Sequence, residues 1–221
     1  MKKELVKRFL SSLIILPIAL LFVIHGSVFF IFFLSTILLI TSYEWIKMSK
    51  KKHFNKIFGV IFLIFSFYSA FQLRNYAGLN FFLFIVLICI FTDIGGYIFG
   101  KIFKGPKLTK ISPNKTYSGV IGSFILPVIA GLVYTNHLGL PLSIIVQLKL
   151  SEVSNNYELT FLFFILTISI ISQIGDLIIS YFKRLSKVKD TGKILPGHGG
   201  ILDRVDGLIF VIPILYLFII L

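Results

Sequence analysis

The sequence predicts an all-α fold: a polytopic integral membrane helix bundle with about seven transmembrane helices. Three observations carry this reading. First, of 221 residues, 57% are hydrophobic and 14% are charged, with a mean hydropathy of +0.96. Soluble globular domains sit nearer about 45–50% apolar and about 25% charged. Second, the apolar residues gather in seven runs, most of them close to the ~20 residues that a helix needs to cross a bilayer. Third, the basic residues sit almost entirely in alternate gaps between those runs.

The runs are Phe9–Ile24, Val28–Tyr43, Ile57–Leu73, Asn80–Phe99, Ser118–Tyr134, Leu159–Phe182 and Gly207–Leu221. The first follows the basic start MKKELVKRFL and has the outline of a signal peptide. No small-x-small cleavage site follows it, so it reads as an uncleaved first span. His25-Gly26-Ser27 reads as a turn. The segment Leu138–Leu150 is apolar but short and carries Pro141 and Lys149, which suits a re-entrant or surface segment. No internal repeat and no soluble domain is visible, so residues 1–221 read as a single transmembrane domain. The lone cysteine, Cys89, lies in an apolar run and excludes a disulfide within the chain.

Charge sets the orientation. With the N-terminus inside, 20 of the 22 Lys and Arg residues fall in inner segments, and only Arg74 and Lys149 fall outside. This is the positive-inside pattern. It accounts for most of the net charge of +13, which therefore does not argue for nucleic acid.

Two of the nine acids, Asp93 and Asp176, lie within spans. Intramembrane carboxylates are costly and mark functional positions. Asp176 belongs to a polar stripe, Ser169, Ser172, Gln173, Asp176, Ser180 and Lys183, whose spacing puts these residues on one helix face. Ser169 and Ser172 read as a hydrogen-bonded seam between helices. Asp93 reads as part of a polar cavity, and Gly96 with Gly100 as a close-packing pair.

The stretch Ser180–Asp206, SYFKRLSKVKDTGKILPGHGGILDRVD, follows directly on Asp176. It cannot span a bilayer, since Lys, Arg or Asp at a helix centre costs roughly 2.5–3.5 kcal/mol each. Its Lys and Arg suit phosphate, its Asp residues suit hard cations, and its glycines let backbone approach a ligand. Together they suggest a metal-assisted phosphate site at the membrane surface. The loop 101–117 is also basic, and Ser112, Asn114, Lys115 and Thr116 precede a span whose N-terminus suits phosphate.

This run resembles the signature of the phosphatidate cytidylyltransferases, or CDP-diacylglycerol synthases. The matching positions are Ser180, Lys183, Arg184, Lys189, Asp190, Gly192, Pro196, His198, Gly199, Gly200, Asp203, Arg204 and Asp206. DIGGYIFGK from Asp93 and KLTKISPNKT from Lys107 are similar to the middle of the same family. The signature blocks are then 93–119 and 172–207. One departure is Ser118, which stands where the family pattern has Glu and removes one expected polar or metal contact.

The resemblance implies that CTP and phosphatidate give CDP-diacylglycerol and pyrophosphate in phospholipid synthesis. It implies Mg²⁺, with room for a second cation such as K⁺. Asp176 and Asp203 are the expected cation ligands, with Asp206 in support. Lys183, Arg184, Lys189 and Arg204 are the expected phosphate anchors, whereas Lys187 and Lys193 read as topological charge. His198 either donates to a phosphate or holds the loop. Lys107, Ser112, Asn114, Lys115, Thr116, Ser180, Gly199, Gly200 and Asp93 complete the expected substrate site. A homodimer is expected from the resemblance alone. The implied place is the bacterial inner membrane, with the site facing the cytoplasm. The rival readings are a transporter or ion channel lined by Asp93 and Asp176, a CDP-alcohol phosphotransferase, and a structural lipid-binding subunit.

Overall fold

A computed structural model describes residues 17–49, 53–109, 111–138, 157–194 and 199–220. The described residues are helical apart from short connections. Helix α1 covers residues 17–25, α2 is Ser27–Met48, α3 is His53–Phe103, α4 is Tyr117–Leu138 and α5 is Tyr157–Leu185. A four-residue turn of helix, α6 (Leu202–Val205), leads into α7 (Leu208–Ile220). Helices α2 to α5 are long and apolar enough to cross a membrane, and α7 is a shorter apolar helix. This is the expected all-α integral membrane architecture. The beginning of the first run and the 139–150 segment lie outside the described residues.

The 51-residue α3 holds two of the predicted runs. Gly78, at φ 85° and ψ 168°, interrupts it between them, in a conformation that favours glycine. A straight helix of that length would reach roughly 75 Å. Instead both ends of α3 return to the same end of the bundle. At its start, the Asn55 carbonyl accepts from Trp45 Nε1 at 2.9 Å, and Trp45 packs edge-on against Phe182 of α5 at 5.0 Å. Beyond its other end, the Ile111 carbonyl accepts from Arg184 Nε at 3.2 Å. The break at Gly78 thus turns one long helix into a hairpin.

The second half of α3 packs closely on α4. Cβ atoms added to Gly95 or Gly122 would run into the facing backbone, and Gly96 and Gly100 lie against Ser123, Gly119 and Thr116. The expected packing role of Gly96 and Gly100 is therefore met. The seam expected at Ser169 and Ser172 is present only at the first, where Thr92 Oγ1 donates to Ser169 Oγ at 3.0 Å; Ser172 Oγ is buried without a hydrogen-bond partner among the described residues. The central core is aromatic and aliphatic, built around Phe30, Phe81, Phe84, Ile85, Ile88, Ile165, Ile168 and Val211. A second cluster with Trp45, Leu63, Ile179, Leu202 and Ile209 sits beneath the loops.

One polar contact joins α3 to α7. Pro213 lies inside α7 and has no N–H for the Ile209 carbonyl four residues earlier. Ser66 Oγ donates to that carbonyl at 2.7 Å. Within a bilayer an orphaned carbonyl would cost several kcal/mol, so the serine sits where the proline requires it.

Candidate active site

Three segments meet at the end of the bundle where both termini of α3 lie. They are the end of α2, the 104–116 loop and the 186–206 loop. Most of the described basic residues are here. Arg74 is at the opposite end, where its guanidinium donates to the carbonyls of Val23 at 2.8 Å and Ile24 at 3.2 Å and so closes α1.

The 104–116 loop folds back on itself. Leu108 N donates to the Lys115 carbonyl at 2.8 Å, Lys115 N to the Ser112 carbonyl at 3.1 Å, and Tyr117 N to the Pro106 carbonyl at 3.2 Å. Ser112 N is held by Thr109 Oγ1 at 3.2 Å. Thr116 caps α4 by accepting from Gly119 N at 3.1 Å, a normal use of threonine at a helix start. Ser118 Oγ donates to the Lys104 carbonyl and lies 3.0 Å from Thr116 Oγ1. Ser118 therefore closes the loop by donating, which a carboxylate in its place cannot do.

This folded loop presents Lys115 to Asp176, and their charged groups are 2.6 Å apart. Ser180 Oγ adds a bond to Asp176 Oδ1 at 3.3 Å. The buried carboxyl group of Asp206 accepts from Gly207 N at 3.0 Å and is an electrostatic neighbour of Asp176. Burial pushes the Asp206 carboxyl well above the ordinary carboxylate range, and the neighbouring charges of Asp176 and Asp93 add to that. Neighbouring carboxylates repel, and a proton or a cation beside them relieves that repulsion.

Asp203 faces a different set of partners. Its Oδ1 accepts from Lys183 Nζ at 2.9 Å. Its Oδ2 accepts from Thr191 N at 2.9 Å and Gly200 N at 3.1 Å. Both oxygens of this carboxylate are thus bound within the protein, and it organises the loop. Gly199 has φ 86°, a backbone state that side chains rarely adopt. Arg184 donates to the carbonyls of Ile111 and Val188 at 3.2 and 3.3 Å and so links the two loops. Lys107, Asn114, Lys189 and Arg204 are exposed, whereas Lys183, Ser180 and Gly200 are buried. His198, Pro196 and Gly197 lie outside the described residues.

Among the described residues no three His, Cys, Asp or Glu side chains converge closely enough to hold a metal ion. Mg²⁺ does not need them. It is commonly bound through one or two carboxylates, with waters and substrate phosphate oxygens filling the remaining positions. The neighbouring carboxyl groups of Asp176 and Asp206 fit that donor set.

A residue the sequence reading passed over is Glu44. It is the only acid between Glu4 and Asp93 and sits at the end of an apolar run among lysines, which is the signal that was there to read. In the fold it is 1% exposed. It accepts from Thr191 Oγ1 at 3.2 Å, Ile201 N at 3.1 Å and Leu202 N at 2.9 Å.

Beside these groups lies a cavity of about 650 Å³. Its walls are apolar and come from α1, α2, both halves of α3 and α7, with Phe30, Phe67, Val86 and Ile212 among them. Asp93, Asp203 and Arg204 also line it. Such a space takes an apolar chain and offers charged groups to a polar head.

A family model described as "Cytidylyltransferase family" matches residues 53–221. Curated relatives carry the name phosphatidate cytidylyltransferase. That of Staphylococcus haemolyticus is 42% identical over 139 residues, covering 62% of this chain and 48% of the relative. That of Staphylococcus saprophyticus is 43% identical over 141 residues, covering 62% and 48%. That of Brucella suis is 39% identical over 162 residues, covering 71% and 54%. The matched region therefore spans about half the length of these relatives.

Proposed function

Because the chain belongs to the cytidylyltransferase family, we propose that it transfers the cytidylyl group of CTP to phosphatidate, giving CDP-diacylglycerol and pyrophosphate. One observation carries the proposal. An apolar cavity lined at its polar part by Asp93, Asp203 and Arg204 adjoins the carboxyl pair Asp176–Asp206 and the ammonium groups of Lys115 and Lys183. A phospholipid with its phosphate beside a triphosphate needs that juxtaposition. A channel or transporter does not, and the family match does not favour that rival.

The chemistry is an in-line exchange at phosphorus. A phosphate oxygen of the lipid bonds to the α-phosphorus of CTP. The bond from that phosphorus to the oxygen bridging to the β-phosphorus breaks, and its electron pair leaves with pyrophosphate. The attacking phosphate monoester is mostly dianionic near neutral pH, so no side chain has to take a proton from it. Asp176 and Asp206 would hold Mg²⁺, which neutralises triphosphate charge when bound. Lys183, aimed by Asp203, and Lys115 face the phosphates as fixed cations. Arg204 at the cavity suits the lipid phosphate, which a guanidinium binds with two parallel hydrogen bonds. Asp203, whose oxygens are engaged, acts by holding Lys183 and the loop.

The site sits at the basic end of the bundle, and we place that end at the cytoplasmic face of the bacterial inner membrane, where CTP is available. The test is direct. Purified protein is supplied with phosphatidate, CTP labelled at the α-phosphorus, and Mg²⁺. Label should move into lipid with one pyrophosphate released per lipid product. Folded protein that releases no pyrophosphate and labels no lipid would sink the proposal.

A further inference from the structure

We infer that Glu44 is a positioning residue for the signature loop: through Thr191, Ile201 and Leu202 it holds the backbone that orients Asp203 and, through Asp203, Lys183. The inference rests on the functional reading above, and it adds to the site a helix that lies outside the matched family region.

The argument starts from cost. A carboxylate that is 1% exposed is disfavoured unless hydrogen bonds satisfy it. Glu44 is satisfied by three donors that flank one loop. Thr191 Oγ1 lies on one side, and the amides of Ile201 and Leu202 lie on the other. One side chain therefore closes the neck of the 191–201 loop. A second carboxylate closes the same neck one step nearer the site. The amides of Thr191 and Gly200 both donate to Asp203 Oδ2, and Lys183 donates to Asp203 Oδ1. Thr191 thus serves both acids, its hydroxyl bonded to Glu44 and its amide to Asp203.

Two glycines of the signature support this. Neither Gly192 nor Gly200 has a positive φ, so backbone conformation does not demand glycine at either position. Space does. A Cβ on Gly192 would overlap the Glu44 carboxylate, and one on Gly200 would overlap both that carboxylate and Thr191 Oγ1. The cradle is shaped to Glu44. Its chain neighbour Trp45 anchors the same end of α2 to Phe182 and Asn55, so the carboxylate is delivered from a fixed support.

The experiment separates positioning from general stability, and separates both from the assigned reaction. Glu44→Ala and Glu44→Gln are made in the full chain in detergent. Amide hydrogen exchange is followed by peptide, and turnover is measured per folded molecule. Loss of the acceptor frees buried amides, so in Glu44→Ala the 186–206 peptide should exchange roughly tenfold faster or more. Peptides from α3 and α4 should not change. Turnover should fall at least about fiftyfold, since small misplacements of catalytic groups cost ~100-fold. Glu44→Gln keeps one acceptor oxygen and should fall between. If Glu44→Ala does not fold, Glu44→Gln decides by the same two readouts.

A compensating pair adds a readout that a purely structural role would not move. Gly192→Ala should lose both loop protection and turnover, and Glu44→Asp in the same chain should restore part of both by withdrawing the carboxylate. Unchanged exchange of the 186–206 peptide, or full turnover in either Glu44 variant, overturns the inference. If the unaltered protein turns over no CTP, the exchange result still decides the loop arm, while the reaction assignment fails separately.

Discussion

Lys115 and Asp176 form a 2.6 Å ion pair that ties the 104–116 loop to helix α5. Asp176 lies inside a helix long enough to span a bilayer, where an unpaired carboxylate is costly. Its cationic partner does not come from its own helix. Lys183 stands on the same face of α5, yet its ammonium goes to Asp203 at 2.9 Å. The two signature blocks are therefore joined by charge, each acid taking a lysine.

Removing Lys115 should expose this dependence. Lys115→Met takes away the charge partner of Asp176 and leaves the chain length nearly unchanged. The pair keeps about a quarter of its side-chain surface exposed (25% and 24%), so solvent screens it and the stability loss should be modest, about 1 kcal/mol. Turnover should fall more steeply, by roughly 100-fold, because the proposed reaction loses a cation that faces the phosphates. Thermal unfolding in detergent and initial rates measure the two effects. Full activity in a folded Lys115→Met protein would remove Lys115 from the site.

Ser66 and Pro213 give a test of the scaffold. Ser66→Ala should orphan the Ile209 carbonyl and destabilise by about 1–3 kcal/mol. Pro213→Ala restores an N–H four residues after Ile209. In the double variant the helix can satisfy its own carbonyl, so stability should recover most of the loss. Unfolding midpoints of the four proteins decide it. Equal losses in the Ser66→Ala and double variants would show that the serine serves another purpose.

The spans, the break near Gly78 and the Gly96–Gly100 packing are legible in sequence because each follows from local composition. Apolar length predicts a crossing, and small residues at helical spacing predict close approach. The direction of Asp203 is not legible, because two of its three donors are main-chain amides, which every residue carries. The Lys115–Asp176 pair is equally hidden, since Lys183 was the basic residue in helical register with Asp176. Glu44 could have been found as a lone acid in a lysine-rich segment, but its partners lie more than 140 positions away. No periodicity connects them.

The apolar cavity predicts a lipid-specific defect. Ile90 lines it and is 40% exposed, so a larger side chain there enters open space rather than packed core. Ile90→Trp should raise KM for long-chain phosphatidate roughly tenfold, of the order one or two methylenes command in an apolar pocket. KM for CTP should stay unchanged, and a short-chain phosphatidate should be affected less. An equal rise in KM for CTP and lipid would place the cavity outside the lipid path.

Orientation can be read by labelling. Cys89 is buried and should stay silent. Cysteines placed singly at Lys187, in the 186–206 loop, and at Tyr76, next to the Gly78 break, lie at opposite ends of the bundle. In intact cells an impermeant thiol reagent should label the Tyr76 site and spare the Lys187 site. The reverse pattern would invert the topology and put the basic loops outside.

The proposed cation site yields the sharpest prediction, because the three aspartates near it have different partners. Asp176 and Asp206 are electrostatic neighbours, while Asp203 has both oxygens bound by Lys183, Thr191 and Gly200. If the first two hold Mg²⁺, Asp176→Asn and Asp206→Asn should each raise the Mg²⁺ concentration for half-maximal rate, by roughly tenfold or more, since asparagine keeps the shape but not the charge that a hard cation requires. Asp203→Asn should behave differently. It weakens the hold on Lys183, so kcat should drop while the Mg²⁺ titration keeps its midpoint. The Asp176→Asn, Asp206→Asn double variant should be little worse than the more damaged single one, since ligands of one ion act as a unit. Charge balance alone makes the opposite forecast for one combination. If Asp176 serves only to neutralise Lys115, then Asp176→Asn with Lys115→Gln should regain most of the lost activity. That recovery, or a midpoint shift in Asp203→Asn without one in Asp206→Asn, would remove the Asp176–Asp206 pair from the centre of the reaction.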